Sequence, residues 1–350
     1  LNQTTFTHTV FIGDDDMTSL SALLDGTYSL PACNNTALAA AQQRQNQLTK
    51  PQGSLGRLEE LALWMAGWQG TERPTLDAGN CLIFAGNHGI TARGISAFPA
   101  DVTAQMVANF THGGAAINQL CDTAGLTLSV TPLMLDTPTA DFSAGPAMSH
   151  DDVLVAFQAG MDAIPETCDY LVFGEMGIGN TTSAAALCAA LFGGDGADWA
   201  GRGTGLDDAA LAAKAAIIDE ALIRHGRIFD SPQALLAAYG GRELAAIAGG
   251  VLAARARRIP VMLDGYICCA AAACLTLLDT AALEHCQISH LSAEQAHGRL
   301  SDALGKTPLL SLNMRLGEAS GGAVATLLVR AALATHNGMA SFAEAGVSGG

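Results

Sequence analysis

The sequence predicts an α/β protein built on a parallel sheet with helices on both faces. Three observations carry that prediction. Short uninterrupted apolar runs, CLIFA at Cys81–Ala85, YLVF at Tyr170–Phe173 and PVML at Pro260–Leu263, read as strands buried on both sides. Longer segments of helical composition separate them, which is the alternation of βαβ units. Glycine-rich or polar clusters follow the strands directly: GNHG, GEMGIGNTT, DG, and SHLS after QI. Ligands of such sheets bind beyond the carboxyl ends of the strands, so the same clusters predict where a site lies.

Taken in order, residues up to about 30 are polar and irregular, with the acidic run Asp14–Asp16 a solvated loop or helix start. Asn34–Thr49 reads as a helix that ends at Lys50-Pro51, because proline disfavours helix in the residue before it. Gly53–Gly56 is a turn, and Ser54 is the expected N-cap of a helix over Leu58–Gln69. The strand Cys81–Ala85 leads through Gly86-Asn87-His88-Gly89 to a helix over Val102–Ala124, with Gly113-Gly114 its weak point. Leu126–Leu135 is the second strand, Ser149–Ala163 a helix, Tyr170–Phe173 the third strand and Ser183–Phe192 the helix after it. Helices over Asp207–His225, capped by Asp207, and Glu243–Ala256 precede the fourth strand at Pro260–Leu263. Gln287-Ile288 is a short fifth strand, and residues 321–335 are again helical.

Composition narrows the function. Of 350 residues only 14% are charged, against about 25% in ordinary globular domains, and 49% are hydrophobic, which excludes a disordered chain. Lys+Arg is 17 and Asp+Glu 33, a formal charge of −16, so no basic excess exists to neutralise nucleic-acid phosphates. The most apolar stretch, Tyr266–Leu278, falls short of the ~20 residues a spanning helix needs and reads as a buried core helix. The opening residues LNQTTFTHTVF show neither a basic n-region nor a long apolar core, so no signal peptide is expected in them. Nine cysteines without a C-x-x-C pair sit among apolar neighbours; they read as reduced core residues, and no zinc ligand set is apparent.

Several clusters carry candidate chemistry. In GEMGIGNTT the glycines Gly174, Gly177 and Gly179 let backbone approach a ligand, and Asn180, Thr181 and Thr182 open a helix whose N-terminus favours a phosphate. A generic strand–helix turn has the same look, and the spacing is not that of G-x-G-x-x-G. Lys214, one of three lysines, follows the flexible GRGTG loop and is either a phosphate contact or a solvated surface residue. Glu318, in MRLGEASGGA, is either a buried proton-transfer acid or an exposed glutamate suited to a helix N-terminus. Glu175 is a second such acid, one residue past a strand end, and Asp264 is placed for ribose hydroxyls. His88 is a general base, a ligand contact or a hydrogen-bonded loop histidine, and His112, His290 and His297 are equally open. Phe98 and Met106 line a slot for a flat ring or belong to the core.

These clusters lie within longer segments: KPQGSLGRLEEL (Lys50–Leu61), AGNHGITARGISAFPADVTAQMVANFTHGGAAIN (Ala85–Asn118), GEMGIGNTTSAAAL (Gly174–Leu187), GRGTGLDD (Gly201–Asp208), RRIPVMLDGY (Arg257–Tyr266), SHLSAEQAHGRL (Ser289–Leu300) and MRLGEASGGA (Met314–Ala323). In that order, from about residue 34 to 335, they resemble the nicotinate-nucleotide:dimethylbenzimidazole phosphoribosyltransferase family of cobalamin nucleotide-loop assembly. The resemblance implies a Rossmann-like sheet domain over residues 76–310. It also implies a small helical domain made from residues 1–75 and 311–350, the latter supplying the catalytic loop. It implies a cytoplasmic homodimer without metal or redox cofactor, and without membrane insertion or nucleic-acid binding. The implied reaction takes nicotinate mononucleotide and 5,6-dimethylbenzimidazole to α-ribazole 5′-phosphate and nicotinate with inversion at C1′. Carried over by motif, Glu318 is the catalytic base and Glu175 and Asp264 sit by the ribose or leaving group. Gly177, Asn180, Thr181, Lys214 and Ser292 cradle phosphate, and His88, Phe98, Met106 and Leu316 line the base pocket. Two departures stand out: many members have Asp where this chain has Asn87, and some have serine and glutamine at Phe98 and Met106. The second makes the wall more apolar and favours dimethylbenzimidazole over adenine.

Overall fold

The computed structural model describes residues 9–12, 16–24, 28–203 and 205–348. Its centre is a five-stranded, fully parallel sheet: β3 (Gly79–Ala85), β4 (Thr127–Pro132), β5 (Tyr170–Met176), β6 (Val261–Leu263) and β7 (Cys286–Ile288), in the spatial order β4-β3-β5-β6-β7. The order reverses between β3 and β5, and such a switch point opens a crevice at the strands' carboxyl ends. Two strands precede the sheet, β1 (Thr9–Ile12) and β2 (Asp16–Ser19), paired antiparallel. The N-terminal stretch expected to be irregular is thus partly a hairpin, and Asp16 opens β2; Asp14, Asp15 and residues 1–8 lie outside the described residues.

Side chains alternate along each central strand. Leu82, Phe84, Leu171, Phe173, Val261 and Leu263 belong to one core, with the helices His150–Asp162, Asn180–Phe192, Arg242–Ala256 and Tyr266–Ala273. Cys81, Ile83, Tyr170, Val172 and Met262 belong to a second core on the opposite face. There the covering helices are Arg57–Gln69, Ala116–Ala124 and Ser320–Gly338, so segments near both ends of the chain meet over one face. The apolar stretch from Tyr266 is a buried helix that tightens into a 3-10 turn at Cys274–Leu277. Among the described residues no helix is long and apolar enough to cross a membrane.

Three local expectations are corrected. The helix expected over Val102–Ala124 is two, Asp101–Thr111 and Ala116–Ala124, because Gly113 turns left-handed (φ +76°) and ends the first. Ser54 does not cap its helix: Gly56 holds that position without a side-chain bond. The carboxylate of Glu59 instead reaches back to the Leu55 N–H (2.9 Å) while Lys50 Nζ pairs with it at 2.8 Å. The helix after β5 starts at Asn180 rather than Ser183, immediately behind left-handed Gly179 (φ +96°).

Candidate active site

At the β3/β5 switch point a cavity of about 360 Å³ opens, within the size range of small-ligand sites. Of the residues singled out from sequence, Glu318, Glu175, Asp264, Gly177, Asn180, Thr181, Lys214, Ser292, Phe98, Met106 and Leu316 all line it. His88 does not: it is buried beside the cavity against Glu243 and Ser183.

One end of the cavity is acidic. β5 carries Glu175 at its carboxyl end, where Asn180 Nδ2 donates to its Oε2. Glu318 sits in a turn of three consecutive left-handed residues, Gly317 (φ +80°), Glu318 (φ +58°) and Ala319 (φ +63°), directly before the helix Ser320–Gly338. For the two residues with a Cβ this conformation costs about 1–2 kcal/mol each, strain of the kind that collects at functional sites. The turn presses on β5 so closely that a Cβ at Gly174 would lie 2.5 Å from Ala319 N. Asp264, at the end of β6, accepts the Gly322 N–H at 3.0 Å, so it anchors the start of the helix that presents Glu318. Its Oδ1 is 3.6 Å from His290 Nδ1, and His290 also lines the cavity.

Burial dominates the titration of these acids. It raises Glu318 to about 7, with the Asp264 charge adding to the effect. It raises Glu175 to about 8, against the Asn180 bond that favours ionisation, and the charges of Asp264, Glu243 and Glu318 push the same way as burial. Asp264 is raised by burial and held down by His290 and backbone N–H groups of Gly322, Gly265 and Gly321. Near neutral pH Glu318 is therefore poised between acceptor and donor, and Glu175 is mostly protonated.

The other end favours anions. At the first turn of Asn180–Phe192 the Asn180 and Thr182 N–H groups bond back to Gly177 O (3.2 Å) and Gly179 O (3.0 Å), and the positive end of the helix dipole favours an anion there. Lys214 reaches this turn from the helix Asp208–His225 and is fully buried, giving one N–H to Thr181 Oγ1 (2.8 Å) and one to Gly201 O (3.0 Å). An ammonium has three donors, so one is left for a ligand. Burial lowers Lys214 to about 8, partly offset by Glu294, so it stays mostly cationic at neutral pH. Ser292 accepts the Glu294 N–H at 3.2 Å on Oγ, and its own N–H goes to His297 Nδ1 at 2.9 Å, leaving its hydroxyl proton for the cavity. Burial lowers His297 to about 3, which matches a neutral ring accepting through Nδ1.

The rest of the wall is largely apolar, with Ile95, Phe98, Val102, Met106 and Leu316 in it. Phe98 is 48% and Leu316 56% exposed, so these two stand at the mouth. Arg202, Arg315 and Glu294 also line the cavity and were not singled out; each lies within or one residue from a quoted segment, but nothing in its own spacing marks it. Asn87 does not line the cavity: its Nδ2 donates to Leu135 O at 3.0 Å, so the missing carboxylate there does not alter the cavity wall. Among the described residues no group of His, Cys, Asp and Glu could hold a metal ion.

The phosphoribosyltransferase family matches residues 30–347. A protein of Ruegeria sp. named nicotinate-nucleotide–dimethylbenzimidazole phosphoribosyltransferase is 56% identical over 96% of this chain and 99% of its own length. One of the same name from Jannaschia sp. is 55% identical over 95% and 100%. The crystal structure of the enzyme of that name from Thermus thermophilus superposes with a TM-score of 0.84 at 38% identity, covering 91% of this chain and all of its own. With the sheet order, the paired acids and the anion end in place, the chain belongs to the nicotinate-nucleotide–dimethylbenzimidazole phosphoribosyltransferase family.

Proposed function

We propose that this chain moves the 5-phosphoribosyl group of nicotinate mononucleotide onto 5,6-dimethylbenzimidazole, giving α-ribazole 5′-phosphate and nicotinate, a step in building the nucleotide loop of cobalamin. The observation that carries the reading is one cavity lined together by a buried carboxyl near neutrality, Glu318, a buried lysine, Lys214, and an apolar wall. The donor's phosphate fits the Lys214 end, with Gly177, Asn180, Thr181 and Ser292 around it, and its ribose lies toward Glu175 and Asp264. The base stacks on Phe98, Met106 and Leu316.

In this arrangement one benzimidazole nitrogen attacks C1′ from the face opposite nicotinate. The C1′–N bond breaks, and its electrons return to the pyridine nitrogen, so the configuration inverts. Glu318 takes the proton from the other benzimidazole nitrogen, and a base near 7 is matched to that task. The ionised Glu318 carboxylate, before it takes that proton, stabilises positive charge developing at C1′. Glu175, mostly protonated, offers a donor to the ribose.

The reading includes a cytoplasmic homodimer, with a small helical unit drawn from residues 1–75 and 311–350. Nine free thiols suit a reducing compartment. The deciding experiment mixes protein, nicotinate mononucleotide and dimethylbenzimidazole and assigns the product anomer by NMR. The α-anomer is expected; nicotinate released equally fast without the base would replace transfer by hydrolysis.

A further inference from the structure

Directly behind the phosphate-binding loop lies a buried polar cluster that touches no part of the cavity. His88 Nε2 pairs with Glu243 Oε1, and His88 Nδ1 lies 3.0 Å from Ser183 Oγ. All three side chains are buried, and Glu243 Oε2 has no hydrogen-bond partner among the described residues. They come from three separate places at the switch point: the turn after β3, the first turn of the helix Arg242–Ala256, and the first turn of the helix Asn180–Phe192.

The glycines around the cluster show how tightly it is held. A Cβ at Gly177 would lie 2.9 Å from Glu243 Oε1 and 2.7 Å from Gly86 O. One at Gly86 would collide with Glu243 Oε2, and one at Gly241 with the His88 ring. One at Gly179 would lie 3.3 Å from His88 Cβ. On one side residues 177–180 line the cavity, and the other side of the loop rests on this pair. A buried polar pair contributes little net stability over apolar packing, and an acid with one unpartnered oxygen contributes less. What the cluster supplies here is its contact with the back of the loop.

We propose that His88, Glu243 and Ser183 form a brace that holds residues 177–180 in their phosphate-binding shape, making them positioning residues for the phosphorylated donor. The inference rests on the reading above that the donor's phosphate sits at this loop. A loosened brace misplaces backbone N–H groups by a fraction of an ångström at the phosphate, and leaves the apolar slot for the base unchanged.

Steady-state kinetics of the intact protein test it, with KM measured separately for nicotinate mononucleotide and dimethylbenzimidazole. Four variants are compared: Ser183→Ala, Glu243→Gln, His88→Ala and the double His88→Ala/Glu243→Gln. The double variant alters both partners at once, so it avoids the unpartnered buried Glu243 side chain of the single His88 variant. Lys214→Met serves as the reference for the loop itself. Expected for the double variant is a rise of about tenfold in KM for the nucleotide with KM for the base within about twofold. Ser183→Ala should show the same split with a smaller amplitude. An unchanged nucleotide KM in the folded variants, beside a raised one in Lys214→Met, overturns the brace and leaves the phosphate site standing. Equal losses toward both substrates overturn it too, as a merely structural role would give. An unchanged nucleotide KM in Lys214→Met overturns the phosphate site and the brace with it.

Discussion

Two glycine-rich loops leave neighbouring strands at one edge of the sheet and end in opposite environments. The loop after β5 opens into the cavity, where Glu175, Gly177, Asn180 and Thr181 all present atoms. The loop after β3 turns inward: Asn87 bonds the Leu135 carbonyl, and His88 is enclosed by Glu243 and Ser183. In sequence the two look alike, glycine and short polar residues after an apolar run. What separates them is the element across from each. The β5 loop runs into a helix start whose dipole favours an anion, while the β3 loop meets a carboxylate arriving from residue 243. Position at a strand's carboxyl end places a residue near a site; a charge distant in sequence decides which way it faces.

If the cavity-facing side holds the chemistry, its loss is measured in turnover. Glu318→Gln should lower kcat by about 10²–10⁴, the usual worth of a general base, with both KM values near wild type; undiminished turnover removes Glu318 from its role. Gly174→Ala acts on the same residue from behind, since the added Cβ lies 2.5 Å from Ala319 N and must push the Glu318 turn off β5. A displacement of about 1 Å is worth on the order of 100-fold in kcat, and a variant as active as wild type shows that the turn tolerates movement. At the anion end Lys214→Met removes a charge-assisted bond worth about 1.5–3 kcal/mol, so KM for the nucleotide should rise about 10- to 100-fold.

The two sides also differ in what their acids do for stability. Glu175 titrates at about 8 in the fold instead of 4.5, so the folded chain keeps a proton that the unfolded chain loses. Stability contributed by that proton is complete below about pH 4.5 and falls as pH rises to about 8. Glu175→Gln removes the fall: its Tm should exceed wild type at pH 8, by the equivalent of about 1 kcal/mol or more, and match it at pH 4. Glu243→Gln should instead lower Tm, because it unmakes a buried pair. Melting curves at the two pH values decide, and equal Tm shifts for both variants erase the distinction.

The same contrast explains how far the sequence could be read. Strands β3, β5 and β6 were legible because continuous apolar runs mean burial on two faces, and residues 174–181 because glycine beside a helix start has few other uses. Gly113 and Ser54 misled in opposite ways: a left-handed glycine ended a helix that composition would continue, and the cap position fell to Gly56, with Glu59 bonding the Leu55 N–H, rather than to the nearest serine. Short helices such as Pro232–Tyr239 and His297–Ala303 carry too few turns to show a period. The facing of His88 was not legible, since its partner is distant in sequence. The available signal was Glu243 itself, the one acid of the helix RELAAIAGGVLAARA, which is apolar from Leu244 to Ala254 and buries a polar group only with a partner.

The smallest expected effect concerns the apolar wall of the cavity. Phe98 and Met106 offer no hydrogen bond to a base, so adenine's exocyclic amino group goes unpaired there while dimethylbenzimidazole has nothing to lose. An unpaired buried donor costs about 1–3 kcal/mol, but Phe98 is 48% exposed and water at the mouth recovers part of it. The lower figure, about 1 kcal/mol or roughly fivefold in kcat/KM, is therefore the preference expected for dimethylbenzimidazole. Phe98→Ser combined with Met106→Gln supplies a hydroxyl and an amide, and should bring the two bases level. Competition between the bases at fixed nucleotide measures it directly. Equal use of adenine by the unaltered protein would show that the slot is wetter than its apolar lining implies, and that selectivity resides at the acidic end.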